Sequence, residues 1–289
     1  MKYLFFFFFL SFSLPAQIRG VVKDSISGEP ISYVNIWVEN ETIGTTSEAN
    51  GSFSLDIKEE KMLVFSALGY ETKKISSKEE TIYLKAIAYE LNEIIVQVLK
   101  KSKQLEIGRV KNNGFYEVYN LGPVIRAKYF PFEEKHKETK FLKEIMILTK
   151  SELDSASFKL RIFNIGKDGF PDKDLVDEDI IVYVKKGKIK AKIDVSKYQL
   201  DMPENGLFVA FENLLIKSNE HIITIQNNAT KKSHNATNYY PYIKHNFVDR
   251  EYTFSFYGGK WRKQYRYKYT DGSDDLKAFE PAITLILTN

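Results

Sequence analysis

The chain has 289 residues, among them 21 Phe, 18 Tyr and no Cys. Its 42 Lys and Arg residues nearly balance its 38 Asp and Glu residues, so the charge does not predict a nucleic-acid partner. The missing Cys excludes disulfides, thiol catalysis and thiolate metal sites. Each of the one or two domains that this length allows must therefore be stabilised by its own hydrophobic core.

Residues 1–16 have the pattern of a secretory signal. Lys2 precedes the apolar run LFFFFFLSFSL, and Pro15-Ala16 supplies a small residue at the cleavage position. The run is shorter than the roughly 20 apolar residues of a membrane-spanning helix. We therefore predict cleavage after Ala16, no transmembrane segment in the mature chain, and a location in the periplasm, at the outer membrane or outside the cell. An uncleaved membrane anchor is the alternative.

Residues 17–98 show the two-residue period of β-strands. Apolar residues alternate with other residues over 33–38 and 52–57, and Asn50-Gly51 ahead of the second run is a strong hairpin signal. Further strands are predicted at 62–66, 70–75, 81–85 and 93–98. This series of short, closely spaced strands predicts an antiparallel β-sandwich.

Five runs in residues 18–98 carry a family resemblance. They are GVVKD, SGEPISYVNI, GTTSEANGSFSL, FSALGY and ELNEIIV, in this order. They resemble the carboxypeptidase-regulatory-like domain of Bacteroidetes-type exported proteins. The resemblance implies a seven-stranded, transthyretin-like or Ig-like β-sandwich. Glu48 departs from the family pattern, which usually has Asp in this turn.

The chain lacks the sequence motifs of the common hydrolases and nucleotide-binding enzymes. None of its four His residues begins an H-x-x-E or H-E-x-x-H zinc motif. The G-x-S-x-G, Walker and G-x-G-x-x-G motifs are absent as well. We predict a protein that is not an enzyme and that uses no cofactor. An enzyme with an unrecognised pair of carboxylates about 5–9 Å apart in the second domain remains an open alternative.

Residues 99–113 are polar and aperiodic and are assigned as a linker, so that the second domain spans 114–289. Strands are predicted there at 140–149, 158–163, 179–185, 188–195, 207–211, 221–226, 252–256, 260–269 and 282–287. One apolar and one polar face per strand predict a two-layer sandwich, and the strand count favours a jelly roll. The run FKLRIFNIGKDGFPDKDLVDEDIIV also resembles the jelly-roll region that accompanies the regulatory-like domain in similar exported proteins.

Aromatic side chains provide the candidate ligand-binding residues. Tyr239, Tyr240 and Tyr242 surround Pro241, and aromatic faces stack on sugar rings. The alternative is a rigid loop whose rings cap the core. Trp261 begins a strand pattern with aromatic residues on one face and basic residues on the other. That strand either belongs to the core behind a solvated basic face, or presents a basic surface to an anionic glycan or to lipid headgroups.

An acidic segment at 168–179 contains weak calcium-ligand candidates, namely Asp168, Asp172 and Asp174. Calcium takes several oxygen ligands, but the spacing does not match an EF-hand loop. A solvated turn around 169–171 is the alternative. The sequence predicts no other metal site.

These features together predict an exported, all-β, non-catalytic protein that binds or scaffolds at the bacterial cell envelope. Its partner would be an envelope protein or a glycan, and not a nucleic acid. Two alternatives stay open. One is a carbohydrate-binding accessory protein of polysaccharide utilisation, with the 239–242 loop as its platform, and the other is the enzyme with a carboxylate pair.

Overall fold

The computed structural model describes residues 17–87, 102–109, 113–226, 232–268 and 276–289. Within these ranges the regular elements are β-strands and the short 3-10 turns Glu134–His136, Ser196–Tyr198 and Lys217–Asn219. No helix of the described residues is long and apolar enough to cross a membrane. The predicted signal at 1–16 and the predicted strand at 93–98 lie outside the described residues.

The first domain is a sandwich of two small sheets. Its described strands are β1 Gln17–Asp24, β2 Asn35–Val38, β3 Gly44–Thr46, β4 Ser52–Asp56, β5 Met62–Ser66, β6 Lys73–Ser76 and β7 Thr81–Leu84. One sheet has the order β4-β1-β7 and the other β3-β2-β5-β6. Ile36, Phe53, Phe65 and Ile82 belong to the core between them. The all-β sandwich is confirmed, but β1 and β7 pair in parallel, so the fold is not wholly antiparallel.

The second domain contains the remaining described strands. They are β8 Gln104–Ile107, β9 Ile125–Phe130, β10 Phe141–Ser151, β11 Ala156–Ile165, β12 Pro171–Asp174, β13 Ile180–Val184, β14 Gly187–Asp194, β15 Leu207–Asn213, β16 Glu220–Gln226, β17 Ser233–Tyr239, β18 Tyr242–Ile243, β19 His245–Val248, β20 Thr253–Tyr257, β21 Lys260–Lys263, β22 Tyr267–Lys268, β23 Leu276–Pro281 and β24 Ile283–Thr288. A five-stranded sheet has the order β14-β10-β24-β8, with β18 also paired to β10. A seven-stranded sheet has the order β12-β11-β15-β9-β20-β21, with β13 also paired to β11.

The two large sheets enclose the main core of the second domain. Phe158 and Phe211 of the seven-stranded sheet stack there with ring centroids 4.6 Å apart. The other face of the same sheet is apolar too, with Phe163, Phe208 and Phe254 in a separate buried cluster. A sheet that is apolar on both faces must be covered on both sides. The second face therefore provides a place for the first domain to dock.

Part of the predicted linker belongs to a sheet. Gln104–Ile107 forms β8, an edge strand that pairs with β24. Ile107 joins the main core and Leu105 packs against it. Two apolar residues are too few to reveal a period, which is why the segment reads as a linker in the sequence. The limits of the two domains stay a prediction.

Strand β9 is not among the predicted strands, although Ile125, Ala127 and Tyr129 alternate with Arg126 and Lys128. Lys128 is only 1 % exposed. Its Nζ lies 2.7 Å from Glu280 Oε1 and donates to the Ile283 carbonyl over 2.8 Å. Burial lowers the pKa of Lys128 to about 8, against the attraction of Glu280. A buried ion pair therefore places inside the fold a lysine that the alternating pattern would leave on the solvent face.

A second buried polar group centres on His245. Its Nε2 lies 2.9 Å from Glu117 Oε2, Glu117 also pairs with Arg126, and the Phe115 ring stacks on the imidazole with centroids 5.5 Å apart. Burial lowers the pKa of His245 below its ordinary value of 6.5, although Glu117 opposes the shift. The folded protein therefore keeps this ring neutral at neutral pH.

We expect this ring to make the fold less stable in acid. Below pH 6.5 an unfolded His takes up a proton that folded His245 binds only at its own lower pKa. The free energy of unfolding therefore decreases as the pH falls through this window, by at most about 1.4 kcal/mol per pH unit. His245→Gln should remove this part of the slope in urea unfolding followed from neutral to mildly acidic pH.

His234→Gln, the same exchange at an exposed position, is the matched control. An unaltered slope in His245→Gln would contradict the expectation.

Candidate functional site

The two sandwiches are joined face to face. The outer face of β2 lies on the outer face of β11, β15 and β20. Trp37 packs against Phe256 with ring centroids 5.8 Å apart, and Lys159 Nζ donates to the Tyr33 carbonyl over 3.3 Å. Trp37 and Lys159 are both buried, so this contact excludes water.

Glu212 is the centre of the polar contacts at this junction. It is fully buried, and its two carboxylate oxygens accept from Asn35 Nδ2 over 2.8 Å and from Arg161 Nη1 over 3.1 Å. Lys159 Nζ lies 3.9 Å away. Burial lowers the pKa of Arg161, but the charges of Asp174 and Glu212 outweigh it and raise that pKa above its usual range. The Glu212 carboxylate is thus neutralised by cations of its own sandwich and hydrogen-bonded by an amide of the other domain.

The turn after β3 adds a second set of contacts. Leu215 N donates to Thr46 Oγ1 over 3.1 Å, and Lys217 N donates to Glu48 Oε1 over 2.8 Å. The second bond gives a structural role to Glu48, the residue that departs from the family pattern. An Asp side chain is one methylene shorter, so it would not reach the Lys217 amide from the same backbone position.

The junction opens on one side into a groove of about 360 Å³, called here the aromatic groove. Both tryptophans of the chain line it, Trp37 from the first domain and Trp261 from the second. Phe256 lies between them, with ring centroids 5.8 Å from Trp37 and 5.3 Å from Trp261. Polar side chains of both domains complete the lining, among them Asn35, Glu39, Asn40, Lys74, Asp172 and Lys260.

The charges of the aromatic groove are nearly balanced. Glu39 and Lys74 form an ion pair at 2.6 Å, and Arg161 is neutralised by its two buried anions. Among the described residues, no ion pair involves Asp172 or Lys260. One anion and one cation without a partner favour a ligand of low net charge.

The turn Gly258-Gly259 between β20 and β21 shapes one wall of the groove. Both glycines have positive φ, 55° and 76°, as tight two-residue hairpin turns require. A Cβ atom at Gly259 would lie 2.9 Å from Trp37 Nε1. Glycine at this position therefore allows the turn to pack directly on the indole.

Trp261, predicted as a ligand-binding residue, does lie in the aromatic groove. Its ring packs edge to face on Phe163, with centroids 5.6 Å apart. The strand predicted at 260–269 ends at Lys263 and resumes as the short strand Tyr267–Lys268. The predicted single aromatic face is therefore wrong beyond Lys263.

The tyrosines around Pro241 mostly pack into the core. Tyr240 and Tyr242 are 6 % and 7 % exposed, and their rings lie 4.2 Å apart. This placement corresponds to the alternative in which the rings cap the core. Tyr239 is half-buried and lines a second, larger groove at the junction. A ligand-binding role for these tyrosines stays a prediction.

The three acidic candidates do not converge on one site. Asp168 Oδ1 accepts from Phe170 N within its own turn over 3.1 Å, Asp174 pairs with Arg161, and Asp172 lines the aromatic groove. In the part of the chain that the structure describes, no group of three or more acidic or His side chains is placed to hold a metal ion. This placement does not support calcium binding.

Trp37 is the groove residue that the sequence reasoning did not identify. The strand was recognised from Val34, Ile36 and Val38, which face the core. Trp37 and Asn35 point to the opposite face, which an isolated sandwich would expose. A large aromatic residue on such a face is a signal of a covered or ligand-binding surface.

Comparison with known proteins identifies the first domain. The family model of the CarboxypepD_reg-like domain matches residues 18–98. The first sandwich is a CarboxypepD_reg-like domain. The chain is also similar to the TonB-dependent receptor SusC of Bacteroides thetaiotaomicron, with 31% identity over 109 residues. This match covers 36% of the chain and 10% of the receptor, so the chain spans about a tenth of the length of this relative.

We expect Glu212 to stabilise the second sandwich at the face that contacts the CarboxypepD_reg-like domain. Glu212→Gln leaves Arg161 and Lys159 with less negative charge in a buried site, which should lower the free energy of unfolding by about 3 kcal/mol. Urea unfolding followed by circular dichroism measures the change.

Glu178→Gln is the control, because Glu178 pairs with Lys197 on the exposed surface at 2.6 Å, where solvent screens the interaction, so its effect should be much smaller. Equal effects of the two substitutions would show that the buried network is not stabilising.

Proposed function

We propose that this chain is an exported, non-catalytic β-sandwich protein that binds or scaffolds at the bacterial cell envelope. Three features support the proposal: the secretory-signal pattern of residues 1–16, the CarboxypepD_reg-like domain that follows it, and the similarity to a TonB-dependent receptor. The partner is an envelope protein or a glycan.

The observation that carries the binding role is the aromatic groove. Both tryptophans of the chain meet there with polar groups of two domains, and ligand sites combine apolar walls with a few placed polar groups. Its volume of about 360 Å³ lies within the range of small-ligand pockets, about 300–1,000 Å³. Since each domain supplies one wall, the docked arrangement of the two sandwiches forms the site.

The environment of the groove carboxylates supports a binding role over a catalytic one. A paired-carboxylate mechanism needs two carboxyl groups that are both free to act on the bound substrate. Glu39 is ion-paired with Lys74 at 2.6 Å, and Asp172 is exposed. Glu39 is therefore already engaged, and the two groove carboxylates do not make a free pair.

A carbohydrate is the second, more specific candidate, as a ligand of an accessory protein of polysaccharide utilisation. The combination of the Trp261 indole with the amide of Asn40 and the carboxylate of Asp172 favours it. Aromatic faces pack on the apolar side of a sugar, while amides and carboxylates accept and donate hydrogen bonds to hydroxyl groups. The nearly balanced charge of the lining fits a neutral glycan.

Glycan binding can be tested with variants of the aromatic groove. A panel of neutral glucans and one acidic polysaccharide should include a neutral binder, measured by isothermal titration. Trp261→Ala should weaken its binding about tenfold or more, because aromatic anchors contribute about 2 kcal/mol or more. Lys260→Ala changes an exposed groove residue outside the core and should also weaken binding.

Tyr265→Ala is the matched control, since Tyr265 is 65% exposed and does not line the groove. Binding that survives both groove substitutions would place the glycan elsewhere.

Export can be tested separately. The full chain produced in a Bacteroides host should appear in the envelope or outside the cell, with Gln17 as its first residue by mass spectrometry. A control that lacks residues 2–16 should remain in the cytoplasm, because the apolar run that export requires is gone. Retention of the uncleaved full chain in the cytoplasm would contradict the proposal.

A further inference from the structure

Two strand edges of the CarboxypepD_reg-like domain lie beside the second sandwich, and they differ in how far the second domain covers them. β3 is the edge of the four-stranded sheet, and β4 is the edge of the three-stranded sheet. The β3 edge is covered, because Gly44 N donates to the Leu121 carbonyl over 2.9 Å and Thr46 Oγ1 accepts from Leu215 N. Within the part of the chain that the structure describes, the β4 edge has no comparable cover.

The register of β4 identifies the backbone groups that are left without partners. Val22 N donates to the Gly51 carbonyl over 2.9 Å, and residues along an antiparallel pair alternate between hydrogen-bonded and non-hydrogen-bonded positions. Ser54 and Asp56, opposite Arg19 and Gln17, therefore direct their amides and carbonyls away from β1. Among the described residues, no backbone group pairs with Ser54 or Asp56 on that side.

This free edge borders the larger groove of the junction, called here the edge groove. Its volume is about 790 Å³. β4 forms one wall along its whole length, and Glu220, Thr237 and Tyr239 of the β16–β17 hairpin contribute to the opposite side. Neighbouring strands in a sheet are about 4.8 Å apart, so the groove provides room for one more strand next to β4.

We propose that the edge groove binds an extended polypeptide segment, which adds to the CarboxypepD_reg-like domain as a strand beside β4. A row of alternating N–H and C=O groups is complementary to another extended backbone and not to a sugar or a small molecule. Natural edge strands are usually protected by Lys, Pro or a bulge, and the β4 sequence SFSLD has none of these. The free edge is therefore available for pairing.

The charged side chains that line the edge groove indicate the net charge of the polypeptide segment that fits it. Arg19 and Lys217 supply positive charge, and Glu48, Asp56 and Glu220 supply negative charge. Lys217 and Glu220 already neutralise each other at 2.8 Å. Because both signs occur along the groove, the segment that fits has low net charge and relies on backbone hydrogen bonds. This inference concerns a different face from the aromatic groove and does not depend on glycan binding.

A matched pair of substitutions at Ser54 tests the proposal. Ser54→Pro removes the outward N–H and places a ring where the added strand would lie, whereas Ser54→Ala keeps the N–H and changes only the side chain. Pro is tolerated on an edge strand when its nitrogen faces away from the ladder. The probe is a phage-displayed library of short random peptides, selected on the intact protein and followed by titration of the synthetic peptides.

We expect the selected peptides to bind Ser54→Pro at least about tenfold more weakly than the unmodified chain and to bind Ser54→Ala equally well. Thr237→Trp narrows the groove from the second domain without touching β4, so it should weaken binding even if Ser54→Pro disturbs the first domain. Amide hydrogen exchange at Ser54 and Asp56 should slow when peptide is bound.

Three results would overturn the proposal. The first is no enrichment of peptides over a blank surface. The second is equal affinity of the selected peptides for the unmodified chain, Ser54→Pro and Thr237→Trp. The third is a dimer in which the Ser54 and Asp56 amides are protected without any peptide, because a second copy of the chain would then occupy the edge.

Discussion

The architecture depends on one buried carboxylate. Glu212 is charge-paired with Arg161 of its own sandwich and accepts a hydrogen bond from Asn35 of the CarboxypepD_reg-like domain, so its buried oxygens are both bonded only when the two sandwiches are docked in this register. Apolar contacts such as Trp37 on Phe256 could form in several registers, because hydrophobic burial is non-directional. The hydrogen bond from Asn35 to Glu212 selects one. Both grooves follow from this choice, since each has walls from two domains.

The sequence predicted strands well where each strand has one apolar and one polar face. The alternation at 158–163 and 188–195 corresponds to β11 and β14 within a few residues. The sequence misjudged burial where a charged residue has a partner from a distant part of the chain. Lys128 reads as exposed but is buried against Glu280. Such a partner is distant in sequence, and no local pattern reveals it.

The candidate site was predicted only in part, for a related reason. Trp261 was identified, and Trp37 was not, because its strand was understood as half of an isolated sandwich. Tyr240 and Tyr242 have the composition of a sugar platform but the burial of core residues. Glu48 looked like a neutral departure from a family pattern, yet it caps the Lys217 amide across the junction. The outcomes for Trp37 and Glu48 depend on how the two domains meet, which the sequence of each domain alone does not predict.

The position of the two tryptophans has a spectroscopic consequence. Both indoles of the chain lie at the junction, and neither belongs to the core cluster between the sheets of either sandwich. Emission excited selectively in indole therefore reports the docking of the domains and not the integrity of their cores. A separation of the two sandwiches without unfolding would shift this emission while the circular dichroism of the strands stayed constant. The chain thus contains an intrinsic optical probe of its own interdomain contact, with no need for an attached label.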